Sequence, residues 1–597
     1  MYKKNKKAIY CLLSVYMVIV VVYSCSSREE YTEPAKTNSG TVLTVNIAGV
    51  EEPGEIKAQA ISSVNATGIA QLPMTTLGPD KITATSDFDI ITNAKTQTDH
   101  SKNVRASAST MERLISPAAA VQVPVSAGVK YRILLYDAGT NALESDVVAT
   151  VGINPNIQVS SGKPYKWYMI STNDANVPGV TTTTGVVAAS SISNKDVLYA
   201  QGTITPMIGQ NSLNAVFKHN TVQFSVDIDT RGLFGVINNT TAVELGTGIG
   251  IGFSSIVQTG DFNLFTGTYS NFQNVTAVTG AGLVNKTDAT GATGATKTVT
   301  FYTVKPSAIP LNSLSLRMNR LDLTMDNGEI RSFSANTTLP FNNTAWTTSL
   351  GFRTLLTSRL IESGVKIKNL LWARSNLYYA ENVSHADKYR FHPNNEYTIS
   401  NTSGLTSNTT INLQLNGSAF KVTNEYWNWM AATPTGPSSD NVDPCSRVYP
   451  AGTWRMPTSA EFLSLEQPDD DDTNTPLIFG GARISSIWNR DTGEAANPNY
   501  PQNSRSLFIS LFGYRTSDGS SITDSPGSLL SSLFVSGKAN YWSSTHAGTN
   551  NANYHIRSYR ALLPPLIPLW GDADISSDPK SEGRNIRCVR TLSASNT

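Results

Sequence analysis

Charge of either sign is scarce in this chain. Of its 597 residues 15% are Asp, Glu, Lys or Arg, 46 basic against 45 acidic, for a formal net charge of +1. Holding nucleic acid takes clustered cations that neutralise phosphates, so no nucleic-acid partner is expected. Histidine is scarcer still. His100, His219, His385, His392, His546 and His555 are scattered, with no His-Glu-x-x-His or other ligand spacing. A Gly-rich phosphate loop and a nucleophile elbow are also missing. Together these absences remove the usual routes to nucleotide, metal and acyl chemistry, and no cofactor is expected. Long apolar runs are lacking too: Ala8 to Val22 is a 15-residue stretch, about 22 Å as a helix and short for a hydrocarbon core of roughly 30 Å.

Cysteine is the last scarcity, with four in the chain. Cys11 lies in that apolar stretch, which follows Lys3, Lys4, Lys6 and Lys7 and so reads as an export signal. The stretch closes on "VVYSC", which resembles a lipobox: Val22, Ser24, then Cys25, whose thiol would be diacylated and become the new N-terminus. Tyr23 is bulkier than the residue usual there, and an uncleaved anchor with an incidental cysteine is the other reading. The "SSREE" that follows resembles the surface-export tag of lipoproteins from fimbriated Gram-negative anaerobes. Residues 1–25 are thus expected to be a lipoprotein signal peptide and 26–40 a polar tether, with an outer-membrane precursor at the cell surface. Cys445 and Cys588 remain as the only pair in the body. An even pair in an exported chain suggests a disulfide, closing 143 residues with an idealised ceiling of roughly 5 kcal/mol. Two buried free thiols are the alternative.

The body is rich in Thr, Ser, Asn, Gly and β-branched residues in short alternating runs, so mostly β structure is expected. "TVLTVNIAGV" (Thr41 to Val50) alternates as a half-buried strand, and "KYRILLYD" (Lys130 to Asp137) and "PYKWYMISTN" (Pro164 to Asn173) read as core strands. Between the first two lie "DFDIITNA" and the polar "NVRASASTMERLISP", an exposed connection carrying Arg105 and Arg113. A first β-domain is assigned to 41–192 and a second to 193–362, where Asp326-Asn327-Gly328 is a hairpin signal. "TGAGLVNKTDATGATGATKT" (279–298) is expected to be a loop or low-complexity insert. From 363 to 592 the texture changes. Six of the nine Trp lie between Trp372 and Trp542, and "SAEFLSL" reads as a short helix capped by Thr458 or Ser459 with Glu461 in its first turn.

The lipoprotein start, "TVLTVNIAGV", "YRILLYD" and "YKWYMIST" resemble the fimbrillin family of type V fimbriae. That resemblance implies two β-sandwich (transthyretin-like) domains and export as a lipoprotein. It also implies a cut after an Arg in the loop beyond the first strand, here Arg105 or Arg113. The cut would release the lipid and the strand, and a neighbouring subunit's strand would fill the groove by β-augmentation. Ordinary solvated arginines are the plain alternative.

Over 363–592 five ordered motifs, "LLWARSNL", "YWNWMAA", "DPCSRVYPAGTWRMPTSAEFLSL", "ANYWSST" and "GRNIRCVR", resemble the C-type-lectin-like modules of the "major paralogous" (FISUMP) kind. An α+β domain is implied, with Trp454 and Trp542 as core anchors and Pro457 opening the helix that holds Glu461. The same Arg-x-Pro-Thr-x-x-Glu phrase occurs in formylglycine-generating enzymes, which need two cysteines a few residues apart. Here "IRCVR" keeps only Cys588, with Gly583 where a second thiol would stand, so no enzyme is expected. Gln467-Pro468-Asp469 matches the tripeptide of galactose-binding lectins, and Asn489 and Asp491 follow. Asp469, Asn489 and Asp491 are therefore weak Ca²⁺ candidates. They precede "YWSST" rather than follow it, which favours a solvated acidic loop and no metal.

Because Cys588 lies nine residues from the end, the C-terminus is expected to be tied into a closed domain that donates no strand. The resemblance then points to an accessory or tip subunit of the FimE/FimD kind. Its expected partners are other fimbrial subunits, outer-membrane lipid before the cut, and a surface protein or glycan of a host or bacterium. A stand-alone surface lipoprotein is the alternative.

Overall fold

The computed structural model describes residues 40–52, 74–84, 88–97, 121–287, 292–325, 330–380, 387–391, 398–399, 413–415, 418–420, 425–474, 483–489, 506–519, 522–524, 534–562 and 567–591. Cys25, Arg105, Arg113 and Asp491 lie outside them. The chain is mostly β.

The strands that matter below are, in chain order, β1 (Thr41–Glu52), β2 (Met74–Ala84), β3 (Phe88–Gln97), β4 (Val121–Val123), β5 (Lys130–Asp137), β6 (Leu143–Thr150), β7 (Asn156–Val159), β8 (Tyr165–Ser171), β9 (Leu198–Ile204) and β10 (Gln210–His219). They continue with β11 (Val222–Gly232), β12 (Gln258–Asn263), β13 (Thr268–Asn274), β14 (Leu283–Thr287), β15 (Thr293–Thr303), β16 (Arg353–Glu362), β17 (Gly364–Ile367), β18 (Leu370–Ala373), β19 (Phe534–His546), β20 (Asn551–Leu562) and β21 (Val589–Thr591). One helix, α1 (Ser459–Ser464), is used below.

Alternation in "TVLTVNIAGV" buries Thr41, Leu43 and Val45 on one face of β1, as the period-2 pattern requires. Leu43 and Val45 join Tyr131, Ile133, Leu135, Trp167, Met169, Leu213 and Phe217 in the first core. The eight-stranded sheet runs β4-β1-β10-β9-β8-β5-β6, with β7 pairing β1. A second, six-stranded sheet runs β14-β15-β11-β16-β3-β2. Phe88, Ile90, Phe224, Val226, Val299 and Leu356 lie in its core.

The pairing crosses the 192/193 boundary in both directions. Strands β9 and β10, from beyond it, complete the first sheet, while β2 and β3, from before it, complete the second. The reason is edge cover: β16 has a free side, and β3 lies along it antiparallel from Thr96–Thr354 to Phe88–Glu362, burying Phe88, Ile90 and Ala94. The Gly/Ala/Thr patch is corrected by the structure. Of its described residues, 283–287 form β14 and 293–298 begin β15, paired from Leu283–Val299 to Thr287–Thr293. The strands flanking Asp326 to Gly328 pair antiparallel, Thr324 opposite Ile330, as the hairpin signal predicts.

In the C-terminal part β17, β18 and β21 form one small sheet, which brings the two ends of 363–592 together. The α1 helix forms as its sequence predicts. The Thr458 side chain accepts from the Glu461 N–H at 3.2 Å, and the Glu461 carboxylate accepts from the Thr458 N–H at 2.8 Å. Contacts tie this part to the second sheet. Phe234 inserts into its aromatic core against Phe391, and the Tyr449 hydroxyl donates to Asp229 at 2.6 Å beneath the Arg231 guanidinium, 3.9 Å from the ring centroid.

Candidate functional site

The first strand is an interior strand. On one side β1 runs parallel to β10, from Val42–Gln210 to Glu51–Lys218. Its other side is closed by two short antiparallel pieces, β7 against Thr41 to Thr44 and β4 against Val50 to Glu52. A bulge between Ile47 and Gly49 re-aims the strand. Gly49 takes φ +150°, and a Cβ there would come within 2.8 Å of the Val123 carbonyl oxygen, so β4 approaches only because this residue is glycine. Side chains add to the ladder: Thr44 Oγ1 donates to Asn156 at 2.7 Å, and Asn46 donates to Asn214 at 3.0 Å. Withdrawing β1 would unpair β10, β7 and β4 and uncover Leu213, Ala215 and Phe217, a slot that only another strand can refill.

A charged clasp holds the end of β1. Glu52 lies 3.6 Å from His219 Nε2, whose Nδ1 is 2.8 Å from Asp196, and Arg353 on β16 reaches Glu52 at 4.0 Å. Burial alone would push the imidazole down, but the hydrogen bonds to Asp196 and Glu52 outweigh it and raise His219 to about 9. The His219 hydrogen bond holds Glu52 below its ordinary carboxylate range. A base raised on folding stabilises fully below its unfolded value near 6.5, and that stability is lost as pH rises through about 9. Stability, followed through the melting temperature, is therefore expected to fall between pH 6.5 and 9.5, by on the order of 3 kcal/mol at most. In His219→Gln that part of the slope should vanish; an unchanged slope would place its source elsewhere.

Arg105 is the first arginine after β1 in the sequence. Both β2 and β3 lie between them. A cut after Arg105 or Arg113 would therefore sever not one strand but three, two of which are seated in the second sheet. This corrects the expectation that the cut frees the first strand alone.

The C-terminal residues are placed as follows. Cys445 and Cys588 are bridged, 5.7 Å apart at Cα and fully buried. They share a core with Trp427, Trp429, Trp454 and Trp542. Pro457 sits just before the Thr458 cap, and its carbonyl accepts from Ser544 N–H at 2.7 Å. Arg455 holds Glu461 at 2.6 Å, so this motif is committed to packing and capping. Gln467 is engaged with Ala573, accepting from its N–H at 2.9 Å and donating to its carbonyl at 3.1 Å. Asp469 is exposed, and Asn489 ends a strand opposite Ser506. Among the described residues no group of three or more His, Cys, Asp or Glu could hold a metal ion.

Sequence reasoning missed the buried arginines of "GRNIRCVR". Arg584 bonds Asn540 at 2.8 Å and Asp578 at 2.6 Å and lies 3.6 Å from the Tyr554 centroid. Arg587 donates to the Ala373 and Phe508 carbonyls. Arg590 is ion-paired with Asp89 of β3, both side chains 4% exposed, and lies 5.0 Å from the Trp454 centroid. Burial also pushes the Glu425 carboxyl up to about 8 against the pull of Arg587. The even spacing of Arg584, Arg587 and Arg590 was the available signal, but charge in a short motif ordinarily reads as surface.

No family model matches the sequence. No curated protein matches it either. Solved structures do. A candidate cell adhesion protein from Bacteroides fragilis NCTC 9343 matches at 12% identity and a TM-score of 0.25, covering 55% of this chain and 94% of its own. A candidate adhesin from Bacteroides thetaiotaomicron VPI-5482 matches at 12% and 0.22, covering 35% and 72%. The fimbrial anchor protein Mfa2 from Porphyromonas gingivalis matches at 14% and 0.19, covering 35% and 74%. At such scores the likeness carries no weight for this chain's fold or function.

Proposed function

We propose that this protein is a non-catalytic, surface-exported fimbrial subunit that accepts a donor strand in the β1 slot and presents its C-terminal, lectin-like domain for adhesion. The observation that carries the reading is β1 itself, an interior strand with a parallel neighbour on one side and only short strands on the other. A partner's strand seated in its place would restore the ladders to β10, β7 and β4. The last strand of the second sheet, β16, offers nothing to donate: it lies between β11 and β3 and passes through Ser363 directly into β17. This supports a tip or accessory position. Both body cysteines are in the bridge, which speaks against formylglycine-type thiol chemistry. Acylation at Cys25 before cutting, outer-membrane anchoring and the other fimbrial subunits as partners belong to the same proposal.

The test is the N-terminal residue of the mature protein recovered from the cell surface, read by mass spectrometry. A start at Ala106 or Leu114 is expected, with the residues before it absent or retained only as a separate fragment. Acylated Cys25 as the sole N-terminus would instead favour a stand-alone surface lipoprotein, a reading that the firm seating of β3 also supports.

A further inference from the structure

A cavity of about 700 Å³ opens away from both sites described above, within the size range of small-ligand clefts. Its floor is an aromatic trio. The Tyr136 and Tyr168 rings meet at 5.9 Å, and Phe265 packs edge-on against both at 5.2 and 5.3 Å. The walls come from distant parts of the chain: the β5–β6 turn, strand β8, the loop around Thr182, and the β12–β13 turn that carries Phe265.

Side-chain hydrogen bonds set the two turns. Asp137 accepts from the N–H groups of Gly139 and Thr140 at 2.7 and 2.9 Å and is anchored by Lys163 at 2.8 Å, which sets the first turn. Asn263 accepts from the Phe265 and Thr266 N–H groups, which sets the other. The Phe265 ring lies so close over Gly185 that a Cβ there would come within 2.9 Å of it. Phe265 is nevertheless 36% exposed, an outward ring on a fixed mount.

The polar lining is rich in donors. Lys166 gives one of its hydrogens to Asn141 Oδ1 at 2.9 Å, leaving the rest of the ammonium and the Asn141 amide N–H groups for a ligand. The Tyr168 hydroxyl has no hydrogen-bond partner among the described residues. The carboxylates of the same hairpin are occupied, Asp137 and Glu144 by Lys163 and Asp146 by Arg132. The Ala142 and Thr182 carbonyls are taken by Asp137 N–H and the Tyr136 hydroxyl, so these two acceptors are not open to a ligand.

From this lining we infer that the cleft binds a short oligosaccharide. The apolar C–H face of a pyranose packs on the Phe265 ring, while its hydroxyl and ring oxygens accept from Lys166, Asn141 and Tyr168. This site lies in the first half of the chain and does not depend on the strand-exchange reading or on the lectin-like domain.

The experiment is binding of the full folded chain to an array of neutral, N-acetylated and uronate oligosaccharides, with affinities of the hits measured by calorimetry. Binding of at least one class is expected, about tenfold weaker in Phe265→Ala and severalfold weaker in Lys166→Gln. Gln467→Ala, in the C-terminal domain, should bind as the parent does. No binding across the array, undiminished binding by a folded Phe265→Ala, loss confined to Gln467→Ala, or capture of peptides but not sugars would each overturn the assignment. Uronates binding best, with that preference lost in Lys166→Gln, would support it and narrow the ligand to acidic sugars.

Discussion

Replacing Asp89 with alanine is expected to destabilise the protein by about 3–5 kcal/mol, the range for removing one partner of a buried ion pair. Asp89 and Arg590 are each 4% exposed at the side chain, and Arg590 has burial driving its guanidinium down to about 10. Without the carboxylate that charge would remain desolvated beside Trp454. The pair also joins distant parts: Asp89 belongs to β3, the cover of the second sheet, and Arg590 to β21, the closing strand of the C-terminal domain. Urea unfolding followed by Trp fluorescence would report both. A loss below about 1 kcal/mol would mean the pair is not the clamp described here. The double variant Asp89→Leu, Arg590→Met should recover most of the loss, because matched apolar side chains need no counter-charge.

Loss of the Cys445–Cys588 bridge is expected to cost about 2–5 kcal/mol, read as the difference in unfolding midpoint between the parent and Cys588→Ser. The bridge spans a sequence separation of 143, and both sulfurs lie among the Trp side chains of the C-terminal core. Loop-closure entropy in the unfolded chain and a cavity in a close-packed core act in the same direction. The effect should be confined to the C-terminal domain. If the first sheet, monitored through protection of β5 and β8 amides against hydrogen exchange, is lost at the same denaturant concentration in parent and variant, that confinement holds. A parallel shift of both would show that the domains unfold as one unit.

Several features were legible locally. The buried face of β1 follows from alternation in "TVLTVNIAGV". The α1 cap follows from Thr458 and Glu461 at their spacing. The disulfide follows from counting: after Cys11 and Cys25 are set aside, two cysteines remain. Each is a short-range or arithmetical property, so a linear reading reaches it.

The sequence by itself thus determined that the chain is mostly β, which faces of its strands are apolar, where its one described capped α-helix in the C-terminal domain begins, and which cysteines were left to pair. Only the tertiary structure decided which sheet each strand joins. "DFDIITNA" has the alternation to fit either sheet, and its place beside β16 is set by the edge that needed cover. The parallel pairing of β1 with β10, the Asp89–Arg590 contact and the aromatic cleft likewise unite residues far apart in the chain. Their energies arise from long-range contacts that leave no periodic trace in the segments forming them.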